Sequence, residues 1–212
     1  MIILVGGEKG GTGKSTLAIN LAVLLSQNKK EILMVDADKQ GTTSQWSSQR
    51  DENQITPRIS CIQKFGKQIH TEILSLSEKY DTIIIDAGGR DSVELRASML
   101  VADLFLTPIR PSQSDAWTLD HLESLVTDAM LINPELKTHV IINQAPTNPS
   151  VTEVNEISEL LSDFEVFTSA NSIIRDRISF RHSFKEGLGV SETSKKDQKA
   201  VNEIGNLYKE VI

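Results

Sequence analysis

Residues Lys9-Gly10-Gly11-Thr12-Gly13-Lys14-Ser15-Thr16 stand between an apolar run at 2–5 and a helical pattern over 14–27. A strand, a glycine-rich turn and a helix in that order leave few folds open. Glycines let successive backbone N–H groups turn inward around one anion, where a Cβ would obstruct the path. The following helix adds unsatisfied N–H groups and the positive end of its dipole. In this arrangement Lys14 reaches β- and γ-phosphates, the Ser15 hydroxyl is placed for Mg²⁺, and Thr16 adds a donor near an α-phosphate. The competing reading is a glycine-rich turn that only caps a helix.

The rest of the chain repeats the strand–helix alternation. Apolar, β-branched runs at 2–5, 31–35, 59–62, 82–85, 104–108, 138–142 and 165–167 read as strands. Continuous runs such as Ile83-Ile84-Ile85 suit strands covered on both faces, as in a parallel sheet. Helices are expected at 14–27, 44–50, 67–79, 92–101, 114–130, 151–162 and 195–211, with 51–57 and 146–150 as polar connections. The expected architecture is α/β: a doubly wound, mostly parallel sheet flanked by helices, one domain over residues 1–212. Trp46, Trp117 and Cys61 are assigned to packing.

Composition narrows the chemistry further. One cysteine in 212 residues excludes an intramolecular disulfide framework and a Cys-built zinc or iron–sulfur site within one chain. Net charge is −7, so any nucleic-acid contact must come from a local patch. No stretch approaches the roughly 20 apolar residues of a membrane span, and the N-terminus lacks the charged region of a secretory signal. The expected compartment is the cytosol.

Acids close two of the strands. Asp86 ends the run from Thr82 in the manner of a Walker B strand, and holds Mg²⁺ through water, since Mg²⁺ dehydrates reluctantly. Asp36 and Asp38 follow the second strand; the plain alternative is that they cap a loop. Gly88-Gly89 forms a pliable turn suited to sensing a γ-phosphate, and Arg90 reads as a surface or structural arginine.

The phosphate loop departs from the strict pattern, with Glu8 where Gly is usual and a second lysine, Lys9, before the paired glycines. It resembles the deviant phosphate loop of the ParA/MinD family of partitioning and positioning ATPases. Val35-Asp36-Ala37-Asp38-Lys39-Gln40 is similar to the family's D-x-D-P-Q segment, with Lys39 in place of proline. Residues 107–112 with Asp115 resemble its dimer-face segment. Ile141-Ile142-Asn143 resembles the strand end whose asparagine approaches adenine; a loop-capping Asn fits the spacing equally well. The tail from 173 to 207 is also similar, including Gly187, Gly189 and Glu192.

The resemblance implies an ATPase that uses ATP and Mg²⁺. Lys9, Lys14 and Asp38 would be catalytic, with Lys9 reaching across a sandwich homodimer and Asp38 positioning the attacking water. Residues Lys9, Gly10, Gly11, Thr12, Gly13, Lys14, Ser15, Thr16 and Asn143 would bind ATP. Ser15, Asp36, Asp38 and Asp86 would serve the metal. It also implies a ParB-like partner, nucleoid association and non-specific DNA binding, because the chain starts at its first strand without a helix-turn-helix module. The candidate DNA patch is Arg175, Arg177, Arg181, Lys185, Lys195, Lys196 and Lys199, seven cations against four acids over 175–199; a solvated helix face is the alternative. The apolar face of the last helix (Val201, Ile204, Leu207, Tyr208, Val211) favours packing on the sheet over a membrane anchor. The principal function expected is DNA partitioning, the alternative positioning of a protein assembly or membrane-associated cargo. A reductase, a ligase-like synthetase and a nucleotide-binding pseudo-ATPase are the rival classes.

Overall fold

The computed structural model describes residues 1–28, 30–148 and 153–212. In chain order the elements are β1 (Ile2–Gly7), α1 (Lys14–Gln27), β2 (Ile32–Ala37), α2 (Thr42–Glu52), β3 (Ser60–Gln63), α3 (Ile69–Ser77), β4 (Thr82–Gly89) and α4 (Val93–Met99). They continue as β5 (Leu104–Ile109), α5 (Gln113–Ala116), α6 (Thr118–Met130), β6 (Lys137–Ile142), α7 (Glu153–Leu161), β7 (Thr168–Ser169), α8 (Ile178–Lys185) and α9 (Gln198–Val211). The seven strands form one sheet in the order β3-β2-β4-β1-β5-β6-β7, and every neighbouring pair is parallel. This is the expected doubly wound α/β architecture.

Strand alternation sends successive side chains to opposite faces, so each apolar run supplies two cores. Ile2, Leu4, Ile83, Ile85 and Phe105 pack with Ile73, Leu95, Leu122 and Val126 on one face. Ile3, Val5, Ile84, Leu104 and Leu106 pack with Leu21, Leu25, Trp46, Ile204 and Leu207 on the other. α9 therefore lies on the sheet, through the apolar face read from the sequence. Among the described residues no helix is long and apolar enough to cross a membrane.

The structure corrects several boundaries. The helix expected at 114–130 is interrupted at Trp117, where the Thr118 hydroxyl donates to the Asp115 carbonyl at 2.6 Å. Trp117 is 64% exposed, so its assignment to packing fails, whereas Trp46 is buried. The strand expected at 165–167 is displaced to Thr168–Ser169, while Phe167 turns into the core. α8 was not anticipated, because Phe180 and Phe184 are its only close-packed apolar residues among polar neighbours. α9 begins at Gln198 because Asp197 caps it, accepting from the Lys199 and Ala200 amides. Positions 151 and 152 of the expected 151–162 helix, and 149–150 of the preceding connection, lie outside the described residues.

A buried ion pair ties α2 to the C-terminal segment. Arg50 is fully buried and bonds both oxygens of Glu192 at 2.8 Å, while donating to the carbonyls of Pro57 and Gly187. Its guanidinium lies over the Trp46 ring, 5.3 Å from the centroid. Cys61 of β3 meets Ser44 at the other end of α2, its thiol pushed up to about 12 by burial, which leaves it unreactive at neutral pH. Removing the carboxylate while leaving the buried cation is costly. Glu192→Ala is expected to lower unfolding free energy by about 3–5 kcal/mol, read from urea denaturation; a loss below about 1 kcal/mol would contradict the clamp.

Candidate nucleotide site

β1 lies at the centre of the sheet, and its carboxyl end opens into the glycine loop, the position where open parallel sheets receive ligands. Gly11 and Gly13 have φ of +76° and +88°. A Cβ on Gly13 would stand 2.3 Å from Asn143 Nδ2, so side-chain-free backbone is required there. Lys14, nearly buried, donates to the Lys9 carbonyl at 2.8 Å. Burial holds its ammonium below the ordinary range, against the opposing pull of Asp86 and Asp38. The lysine thus bonds the backbone of its own loop, a contact that an anion in the loop would compete for.

The three acids converge at the carboxyl side of the sheet, but Asp86 lies within β4, which continues to Gly89, so Gly88-Gly89 is strand rather than the expected pliable turn. Register sets Asp36 of β2 beside Asp86 of β4. Asp86 is buried and accepts from the Thr43 hydroxyl at 2.7 Å. Burial, reinforced by Asp36, pushes its carboxyl up to about 6, although Thr43, Ser15 and Lys14 pull the other way. Asp36 uses one oxygen for the Asp38 amide (3.2 Å) and the other for the Ser44 amide (2.8 Å). It shapes the loop that carries Asp38. Asp38 accepts from the Gln40 amide at 3.0 Å and faces Gly88, where a Cβ would stand 3.1 Å from its carboxyl carbon.

Among the described residues no three His, Cys, Asp or Glu side chains form a metal cage. Mg²⁺ does not ask for one: it keeps several waters and takes one or two protein ligands with phosphate oxygens. Ser15 and the buried Asp86 carboxyl, which burial leaves short of compensating charge, fit such an ion.

Lys9 lies at the rim. Its ammonium donates to Ser114 Oγ at 2.8 Å and pairs with Asp115, a buried acid that also accepts from the Arg110 amide and the Ser112 hydroxyl. Glu8, the residue that replaces glycine, pairs with His121 of α6. Sequence reasoning placed Asp115 on a dimer-face segment but missed its contact with Lys9. It also missed Thr43, whose hydroxyl at the start of α2 could be read only once β2–β4 register was known.

The candidate DNA residues do not form one free patch. Arg177 is paired with Glu203 at 2.6 Å, Arg175 donates to the Pro146 carbonyl, and Arg181 bonds Asp176 at 3.0 Å. These three arginines line a cavity of about 110 Å³ with Gly13, Thr16, Asn143 and Phe180, beside the phosphate loop. Asn143 commits its amide to the Thr12 carbonyl at 2.6 Å. Lys185, Lys195, Lys196 and Lys199 are exposed. Arg90 is also exposed, in a left-handed backbone conformation.

A family model described as the CobQ/CobB/MinD/ParA nucleotide binding domain matches residues 3–190. The chain belongs to this ParA/MinD family. The maintenance of carboxysome distribution protein A of Halothiobacillus neapolitanus is 25% identical over 218 residues, covering 99% of this chain and 95% of that relative. A putative plasmid partition protein from Borrelia burgdorferi, solved bound to AMPPNP, superposes with a TM-score of 0.75 at 22% identity, covering 98% of this chain and 96% of its own. A Cyanothece McdA–ATP complex superposes with a TM-score of 0.78 at 16% identity, covering 99% and 95%. The two structural likenesses show that the family fold is kept at low identity.

The Asp86 shift carries a signed pH dependence. Its ordinary value is 3.8, so between about pH 4 and 6 the folded chain binds more protons than the unfolded chain. Stability from this group therefore falls as pH rises through that window, and the penalty is complete above it. Asp86→Asn removes the titrating charge. The variant, without ligand, is expected to gain about 2 kcal/mol on wild type between pH 4 and pH 7.5, measured by denaturant unfolding at both. An equal difference at the two pH values would contradict it.

Proposed function

We propose that this chain is an ATP-hydrolysing switch that forms a nucleotide-dependent homodimer and positions cargo on DNA. The observation that carries the reading is the pair of lysines on one loop. Lys14 is buried inside its own site, whereas the Lys9 side chain is 37% exposed and held at the rim by Ser114 and Asp115. One anion in one subunit needs only the first. In this reading the second serves the terminal phosphates of a nucleotide held by a facing copy.

In this reading ATP draws two copies together, and each Lys9 leaves Asp115 for the other's phosphates. A cation supplied in trans offsets charge that builds during phosphoryl transfer, and makes turnover conditional on pairing. Lys14 holds the β- and γ-phosphates of its own nucleotide. Asp38 orients the attacking water. Ser15 and Asp86 would hold Mg²⁺, which would offset phosphate charge. Exposed Trp117, two residues beyond Asp115, supplies apolar surface for the facing copy. Lys185, Lys195, Lys196 and Lys199, doubled by dimerisation, provide phosphate contacts with steep salt dependence. The protein would act in the cytoplasm on the nucleoid, with a ParB-like partner accelerating turnover and plasmid or chromosomal DNA as cargo.

A second reading has a specific observation in its favour. The carboxysome distribution relative aligns along 99% of this chain, which supports a protein assembly as cargo. The partner separates the two: a site-specific DNA-binding protein supports partitioning, and one that binds a protein assembly supports positioning.

Size-exclusion chromatography tests the switch. Wild type is expected to elute as a monomer with ADP and a dimer with ATP and Mg²⁺, and Lys9→Ala as a monomer with both; an unchanged wild-type profile would count against it. Asp38→Ala is expected to bind ATP normally, lose about a hundredfold in turnover and remain on DNA in co-sedimentation. Normal turnover would remove Asp38 from the catalytic role.

A further inference from the structure

Two peptide groups of the phosphate loop have their carbonyls held by side chains from neighbouring strand ends. Arg110, just past β5, donates from Nη2 to the Gly11 carbonyl at 2.5 Å, and Asn143, just past β6, donates to the Thr12 carbonyl at 2.6 Å. In a planar trans peptide the C=O and the next N–H point in opposite directions. Holding these two carbonyls therefore turns the N–H groups of Thr12 and Gly13 away from the donors, the alignment an anion-binding concavity requires.

We propose that Arg110 is a positioning residue that sets the phosphate loop for the β- and γ-phosphates, an assignment that rests on the nucleotide reading above. Its guanidinium is fixed at a second point, donating from Nε to Gln144 Oε1 at 2.8 Å, and Gln144 itself adopts φ of +55°. Its backbone N–H donates to Asp115 at 3.0 Å, the same acid that holds Lys9. The fork thus bridges the tip of the loop and a residue just past β6, while the backbone of Arg110 holds the seat of the rim lysine. Gly11 sits under it with φ of +76°, and a Cβ there would stand 3.0 Å from Nη2. A lysine at 110 has one compact ammonium in place of a planar fork, so it reaches one of the two acceptors.

The test is isothermal titration of wild type, Arg110→Ala and Arg110→Lys with Mg-ADP, inorganic pyrophosphate and adenosine. Arg110→Ala is expected to weaken ADP and pyrophosphate about tenfold and leave adenosine unchanged, with Arg110→Lys recovering part of the loss. In steady-state turnover KM should rise by a similar factor while kcat stays within about twofold, as loss of uniform binding dictates. Gln144→Ala, which removes only the second anchor, should show the same pattern at smaller size, and serves if Arg110→Ala does not fold. Unchanged ADP and pyrophosphate affinity, or an equal loss for adenosine, would overturn the assignment. If wild type binds no ADP, the nucleotide reading itself falls.

Discussion

The register of β2 on β4 places two carboxyls, Asp36 and Asp86, side by side with almost no exposed surface. Like charges taken out of water together need compensation. The chain supplies part of it: the Thr43 hydroxyl, the Ser44 amide and the nearby Lys14 ammonium. A proton supplies more when Asp86 titrates near pH 6. A divalent cation with phosphate oxygens would do the same work at neutral pH. The site's geometry follows from this demand, because the same two acids hold the first turn of α2 and so set the loop that carries Asp38.

α2 extends that demand through the molecule. Its first turn is held by Asp86 and Asp36, and Arg50 in its last turn clamps Glu192 and the Gly187 carbonyl. On the other side α1, whose first residue is Lys14, uses Asn20 to accept from the Val190 amide at 2.9 Å. Residues 187–192 are thus gripped from both α1 and α2. They connect α8 to the segment bearing Lys195 and Lys196. The segment that precedes Lys195 and Lys196 is held by the helices that begin beside the acids and the phosphate loop.

The parts legible in the sequence were those dictated by local chemistry. The glycines at 11 and 13 marked a turn that side chains would obstruct, and the Ile83-Ile84-Ile85 run marked a strand buried on both faces, although that strand continues past Asp86 to Gly89. What stayed hidden depended on chain segments far apart. Lys9 gives no sign that it rests on Asp115, 106 residues away. Arg177 reads as a free cation in the sequence because its partner, Glu203, lies 26 residues further along the chain. α8 escaped because its apolar stripe is thin, and Trp117 looked like core because bulky aromatics usually are. Arg50, in a polar helix, carries no local mark of full burial.

The proposed switch turns on one cation changing partners. A crystal structure of the wild-type protein grown with a non-hydrolysable ATP analogue and Mg²⁺ is the direct measurement. The account requires the Lys9 ammonium to have left Asp115 and to lie within hydrogen-bonding distance of the terminal phosphate in a facing subunit. A nucleotide-filled site with Lys9 still on Asp115, and no second copy opposite it, would contradict the account.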